Sequence, residues 1–293
     1  MQQNDLMRES IPHGDALFPM SLHEIATDCK HTERLECHWH KEIEILVATA
    51  GQAVFRIDTE SFPLSAGEAV FVNGNRLHSA RAAEMEPFEY FAVVFDLSLL
   101  SGEVNDRISQ RYIAPVVNGS IAFSEKITRE EYGGEVFGLL FAIREAYRKK
   151  ELLYEMNIKI KLMEIWTILY RHAEKAQGPA PKAENYKIES IKRIMRYIQE
   201  HYREDITVSG MAERCGMSES QFCRFFRSMA QSSAVHYIQT CRVTESCRLL
   251  RTTDLPVSAV ALQVGFENIS YFNRVFLRFM HRSPSAFRAQ ENL

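Results

Sequence analysis

The stretch 260–288, VALQVGFENISYFNRVFLRFMHRSPSAFR, decides how the rest of the chain is read. A short helical run, VALQV, meets Gly265, a residue able to take the left-handed backbone that closes a helix. Asn268 follows where a second helix needs a cap. In that second helix Phe272, Val275, Phe276 and Phe279 recur at the i, i+3, i+4, i+7 spacing of a buried stripe. Ile269, Ser270, Asn273, Arg274, Leu277 and Arg278 then share the opposite face. Helix, tight turn and helix, with cations and hydrogen-bonding side chains outward, is the arrangement that sets a recognition helix in a major groove, where Arg pairs with guanine and Asn with adenine.

The same pattern occurs earlier. Ala212 and Cys215-Gly216 correspond to Ala261 and Val264-Gly265 at an offset of 49, and Phe222, Arg224, Phe226, Met229, Ser233 and Tyr237 correspond to Phe272, Arg274, Phe276, Phe279, Ser283 and Phe287 at an offset of 50. Chance amphipathicity does not repeat a turn glycine, a buried set and an outward arginine in one register, so the region is an internal duplication. In the first copy, Ser218 is the expected cap and Glu219, Ser220, Cys223, Arg224 and Arg227 are the expected reading face. A long helix from about Ala234 to Thr252 joins the copies and can hold two readers roughly one DNA turn, about 34 Å, apart.

Charge supports this assignment. The whole chain of 293 residues carries a net charge of −3. Residues 184–293 hold 15 basic and 11 acidic side chains, net +4, while residues 1–183 are net −7. Only the C-terminal part has the sign that phosphate contacts require. No apolar run reaches the roughly 18 residues of a membrane helix, and the N-terminal residues lack a hydrophobic signal region. The expectation is a cytoplasmic protein. Its six cysteines (Cys29, Cys37, Cys215, Cys223, Cys241, Cys247) follow no metal-finger spacing and are expected as free thiols.

The last hundred or so residues resemble the AraC/XylS family of transcriptional regulators. The resemblance rests on Ala261, Val264, Gly265, Phe266, Asn268, Ser270, Tyr271, Phe272, Arg274 and Phe276, with Ser283, Pro284, Phe287 and Arg288 completing the motif. His281 and Gln231 stand where the family often has Gly, Ala234 where Pro is usual, and Gly210 interrupts the first short helix. The resemblance implies double-stranded DNA as a partner, a homodimer, a small organic effector (sugars are frequent in the family) and, for an activator, a contact with RNA polymerase. It implies no enzyme activity.

The N-terminal residues read differently. IEILVATA, AVFRIDTESFPL, EAVFVN and EYFAVVFDL alternate like strands, with turn signals at Gly51, near Pro63, at Ala66-Gly67 and at Asn73-Gly74-Asn75, giving a compact all-β domain of roughly eight strands. His38, His40 and Glu44 share one parity, so on an extended strand they point to one side. Trp39, Ile43, Ile45 and Val47 hold the other parity and compete for the interior; alternation alone leaves that open. With Gly51, Gly67 and His78 the spacing resembles the cupin metal motif, although Thr32, Asn73, Asn75 and Ala82 depart from it. The expected occupant is a polar organic ligand lined by His38, His40, Glu44 and His78, with Arg56 and Tyr90 as further candidates. A metal is not the favoured occupant; if bound, its ligands are His38, His40, Glu44 and His78.

The expected fold is thus multidomain: an N-terminal all-β cupin-like barrel over 1–128, a helical pair over 129–174 that also suits dimerisation, a Pro- and Gly-containing linker over 175–186, and an all-α double helix-turn-helix domain over 187–293. The function expected is a ligand-responsive, sequence-specific DNA-binding regulator. Alternatives are a metal-dependent cupin enzyme fused to a DNA-binding module and a DNA-binding regulator without an effector.

Overall fold

The computed structural model describes residues 14, 17–26, 34–82, 87–101, 106–175 and 182–291. Gly178, Pro179 and Pro181 of the linker, Cys29 and Thr32 lie outside them. The chain divides into two compact units, Met1–Lys182 and Ala183–Leu293.

Unit 1 is built on eight strands: β1 (Met20–Ala26), β2 (Arg34–His38), β3 (Ile43–Ala50), β4 (Gln52–Ile57), β5 (Glu60–Ser65), β6 (Ala69–Val72), β7 (His78–Ala82) and β8 (Glu89–Phe95). Short strands β9 (Ile121–Ala122), β10 (Lys126–Ile127) and β11 (Glu174–Lys175) follow, with helices α1 (Ala114–Val117), α2 (Arg129–Tyr132), α3 (Glu135–Lys149) and α4 (Tyr154–His172). One antiparallel sheet runs β1-β8-β3-β6-β10 and a second runs β2-β7-β4-β5; β9 and β11 pair separately.

The parity left open in β3 has a simple resolution, because both faces of the strand are covered. Ile43, Ile45 and Val47 pack with Phe91, Val93 and Phe95 beneath Val136, Phe137 and Leu140 of α3 and Ile158, Leu162 and Ile165 of α4. Leu46 and Ala48 face the second sheet and share a core with Phe55, Ile57, Leu64, Val70, Val72 and Val94. Each buried aliphatic or aromatic side chain in these layers contributes roughly 1.5–3 kcal/mol relative to exposure. The helices also hold the sheet electrostatically: Arg144 and Arg148 of α3 both pair with Glu24 of β1, Arg148 Nε at 2.9 Å.

The turn expected near Pro63 lies earlier in the chain. Pro63 lies inside β5, opposite Val54, and the reversal is at Asp58-Thr59, with Asp58 at φ 51°. β5 is an edge strand, where a residue with no N–H to donate forfeits no ladder bond on its open side.

Unit 2 is all helical: α5 (Lys182–His201), α6 (Val208–Arg214), α7 (Glu219–Ala230), α8 (Ala234–Thr252), α9 (Val257–Gln263), α10 (Ile269–Met280) and α11 (Pro284–Glu291). α5 starts at Lys182, ahead of the boundary expected at 187. The duplication is visible in the bonding. At the first turn Met217 N–H reaches the Ala212 carbonyl and Gly216 N–H that of Glu213; at the second, Phe266 reaches Ala261 and Gly265 reaches Leu262. These bonds close a helix around a left-handed residue, here Gly216 (φ 63°) and Gly265 (φ 91°).

Candidate nucleic-acid interface and barrel cluster

Each reading helix starts on a side chain that accepts an orphan backbone N–H. Ser218 accepts from Gln221 while Gln221 reaches back to Ser218, a reciprocal cap; Asn268 Oδ1 accepts from Tyr271 N at 2.9 Å. Behind them Phe222, Phe226 and Met229 in α7, and Phe272, Val275 and Phe276 in α10, are buried. That packing fixes which way the other face points. Glu219, Ser220, Cys223, Arg224 and Arg227 of α7 and Ile269, Ser270, Asn273, Arg274 and Arg278 of α10 are all exposed. In the second copy Ile269, Ser270, Asn273, Arg274 and Leu277 form one wall of an open groove completed by Val257-Ser258 and Ser283-Pro284-Ser285.

Other arginines of unit 2 are engaged in holding the fold. Arg242 donates from Nε to the Tyr202 carbonyl at 2.7 Å and from its terminal nitrogen to that of Glu204 at 2.9 Å. Arg248 pairs with Glu245, Arg214 stacks 4.0 Å from the Tyr197 ring centre, and Arg288 donates to the Leu250 and Leu255 carbonyls. Among the described residues the guanidinium groups of Arg224, Arg227 and Arg278 enter no hydrogen bond or ion pair, and that of Arg274 only lies over the Tyr271 ring at 5.6 Å.

Two polar links that helical periodicity does not reveal fasten other helices of unit 2 to α8. Gln239 of α8 donates to the Tyr271 hydroxyl of α10 at 2.5 Å, and Gln199 of α5 donates to the Tyr237 hydroxyl of α8 at 3.1 Å. Gly265 lies so close to the segment before α6 that a Cβ there would sit 2.7 Å from the Arg203 carbonyl oxygen. The signal in the sequence for the first of these links is the polarity of Gln239 on the largely apolar buried face of α8.

In unit 1 the structure brings His38, His40, Glu44 and His78 together, with one ligand-type atom from each lying within 4.8 Å of all the others. Shared parity on one strand does not bring them together: β2 ends at His38 and β3 begins at Ile43, so His40 sits in the connection between them. His38 and His78 are cross-strand partners in one sheet, while Glu44 rises from the other on the inward parity of Leu46. The connection is held by the neighbouring loop: Asn75 N–H bonds the His40 carbonyl at 2.7 Å, and Gly74 passes so close to Lys41 that a Cβ would lie 2.4 Å from its carbonyl oxygen. His40 Nε2 and His78 Nε2 are each 3.1 Å from Glu44 Oε2.

Burial drives these groups toward neutrality, and their mutual contacts redirect two of them. Burial lowers His38, and the proximity of His78 and His40 lowers it further, leaving it well below the usual imidazole range. Burial lowers His40 too, but the hydrogen bond and charge of Glu44 outweigh it and raise this imidazole. Glu44 is pushed up by burial and pulled down harder by His78 and His40, ending well below the usual carboxylate range.

Two other candidates lie elsewhere. Arg56 is on the parity of β4 opposite to the inward Phe55 and Ile57, and its Nε donates to the Asp58 carbonyl at 2.8 Å. Alternation along β4 turns it away from the cluster. Tyr90 is inward but pairs with Ala48, whereas Glu44 pairs with Val94; four residues of strand, about 13 Å, separate it from the cluster, and its ring stacks near Phe88 instead.

Fold and sites together define a DNA-binding transcription regulator with a ligand-binding unit. The AraC-like ligand binding domain model matches residues 23–159, and a helix-turn-helix domain model matches residues 211–290. The chain is 25% identical over 283 residues to the HTH-type transcriptional regulator YdeC of Bacillus subtilis, covering 96% of each. It is 24% identical over 261 residues to the regulator YdiP of Escherichia coli, covering 86% of this chain and 80% of that one. The solved structure of ToxT from Vibrio cholerae aligns over 92% of this chain and 97% of its own at 11% identity, with a TM-score of 0.47. The two matched domains and the relatives named as HTH-type regulators bear out the resemblance of the chain to AraC-type transcriptional regulators. No helix among the described residues is long and apolar enough to cross a membrane.

Proposed function

We propose that each chain reads two adjacent major-groove segments of double-stranded DNA, through Glu219, Ser220, Cys223, Arg224 and Arg227 of α7 and Ile269, Ser270, Asn273, Arg274 and Arg278 of α10. Unit 1 responds to a small effector and acts as regulator rather than catalyst. The observation that carries this reading is the division of labour among the arginines: those that hold the fold are bonded, while those on the two capped faces project without ion pairs. Guanidinium groups kept free of internal partners are available for guanine and phosphate.

Binding is tested by selecting sites from random duplex DNA and measuring salt dependence on the selected site. The expected site has two half-sites, and affinity falls steeply with salt. Arg274→Ala is expected to cost roughly 1–3 kcal/mol and to relax preference at one base position. An equal loss on every sequence would remove the base-reading role and leave a phosphate contact.

The chain is also proposed to work as a homodimer. Leu153, Met156 and Ile160 leave an exposed apolar stripe along the start of α4, at the spacing of one helix face.

A further inference from the structure

Three imidazoles and one carboxylate meet between the two sheets of unit 1, where His40, His78 and Glu44 are each less than a tenth exposed. The second nitrogen of every ring identifies which atom faces the centre. His38 Nδ1 is 2.8 Å from the Glu36 carbonyl, His40 Nδ1 is 3.2 Å from that of Glu42, and His78 Nδ1 is 3.0 Å from that of Arg76. A carbonyl oxygen only accepts, so each Nδ1 carries the proton, and a neutral ring then presents the Nε2 lone pair inward. For His40 and His78 that lone pair faces Glu44 Oε2 at 3.1 Å.

Lone pair against carboxylate is repulsive unless something positive lies between them. The His40 and His78 ring centres are 5.1 Å apart and the His38 ring lies 4.1 Å from that of His78, so the inward nitrogens converge with the Glu44 carboxylate in one small buried space. A single divalent cation meets the need with no added proton: it accepts the inward lone pairs and offsets the carboxylate. Backbone carbonyls holding the outer N–H of each ring are the usual support of histidines that ligate metals. The spacing agrees, since ligands about 2.1 Å from an ion stand roughly 3–4 Å from one another, and these donors lie within 4.8 Å of each other.

We propose that unit 1 binds one divalent first-row transition-metal ion through Nε2 of His38, His40 and His78 and a carboxylate oxygen of Glu44. Three imidazoles and one carboxylate suit Zn, Fe, Ni or Co better than Mg or Ca, which prefer oxygen alone. Phe55 stacks on the His78 ring, and Glu42 lies on the outer, Nδ1 side of His40 at 3.7 Å.

The test uses the full chain, stripped with chelator and then dialysed separately against Zn(II), Ni(II) and Co(II), with bound metal measured by elemental analysis and Co(II) coordination by visible absorption. About one ion per chain is expected with at least one of the three metals, together with a rise in apparent melting temperature. Glu44→Gln and His78→Gln are expected to lower metal affinity about tenfold or more. His23→Gln, a buried histidine bonded to Ser21 and outside the cluster, leaves it unchanged. If His78→Gln does not fold, His38→Gln on the edge strand β2 serves in its place. Less than about 0.1 ion per folded chain with all three metals overturns the proposal, and so does stoichiometric binding that survives Glu44→Gln and the histidine variants. DNA binding measured on the same preparations keeps the two readings apart: DNA binding without metal sinks only the metal site, and metal without DNA binding sinks only the regulator.

Discussion

A left-handed backbone costs an ordinary L-residue about 1 kcal/mol or more, and each reading helix ends on one: Gln231 at φ 55° after α7 and His281 at φ 54° after α10. Both stand where a glycine was expected from the family pattern, so the sequence marked the positions while the structure supplies the strain. Gln231→Gly is expected to raise unfolding stability by roughly 0.5–1 kcal/mol in urea titrations, although it gives up an exposed bond from Gln231 to the Ser228 carbonyl. No gain at all would mean that this bond matters more than the backbone. The turn glycines behave oppositely and unequally. A methyl at Gly216 meets nothing within 4 Å, whereas one at Gly265 runs into the Tyr202-Arg203 backbone. Gly265→Ala should therefore destabilise clearly more than Gly216→Ala in the same assay. In the sequence the two glycines are equivalent, because a clash with a distant segment leaves no trace in local spacing.

Between elements, the clamp of α3 on β1 is electrostatic and pH-sensitive. Burial raises the Glu24 carboxyl, but hydrogen bonds and charge from Arg148 and Arg144 outweigh it and set it below its ordinary value of 4.5. A carboxyl depressed in the folded state stabilises above that ordinary value and loses the contribution as pH falls below it. Glu24→Gln is expected to lower the melting temperature at pH 7 modestly, since Glu24 is about a third exposed and such pairs give about 1 kcal/mol or less. The difference should shrink steadily below about pH 4.5; an unchanged gap at pH 3 would assign the effect to packing. On α4, Ile160→Glu is expected to convert a dimer to monomer in light scattering without loss of helix content, and an unaltered mass would remove this face as the contact. At this scale the periodicity of both helices was legible in the sequence. The orientation of β3 was not, because a strand covered by helices on one face and a second sheet on the other is apolar on both parities. The histidine cluster was legible in membership but not in geometry: His38 and His78 meet across β2 and β7, Glu44 comes from β3, and His40 joins them from a connection held by Asn75 and Gly74, so no single extended strand aligns them.

For the molecule as a whole, the duplication is the most legible feature, since the two copies repeat caps, turn bonds and buried rings at offsets of 49 and 50. What joins them carries its own consequence. α8 is one unbroken helix of 19 residues, about 28 Å long, and Gln239 and Arg242 fasten its middle to α10 and to the segment leading into α6. Such a strut behaves as a fixed ruler for DNA geometry. Five base pairs inserted between the half-sites rotate one to the far side of the duplex, and ten restore its phase but add roughly 34 Å of separation. Proteins that reach their sites through flexible tethers recover affinity on the second insertion. Here binding by a single chain should be weakened by five base pairs and stay weakened at ten, so the protein measures distance as well as angle along its operator.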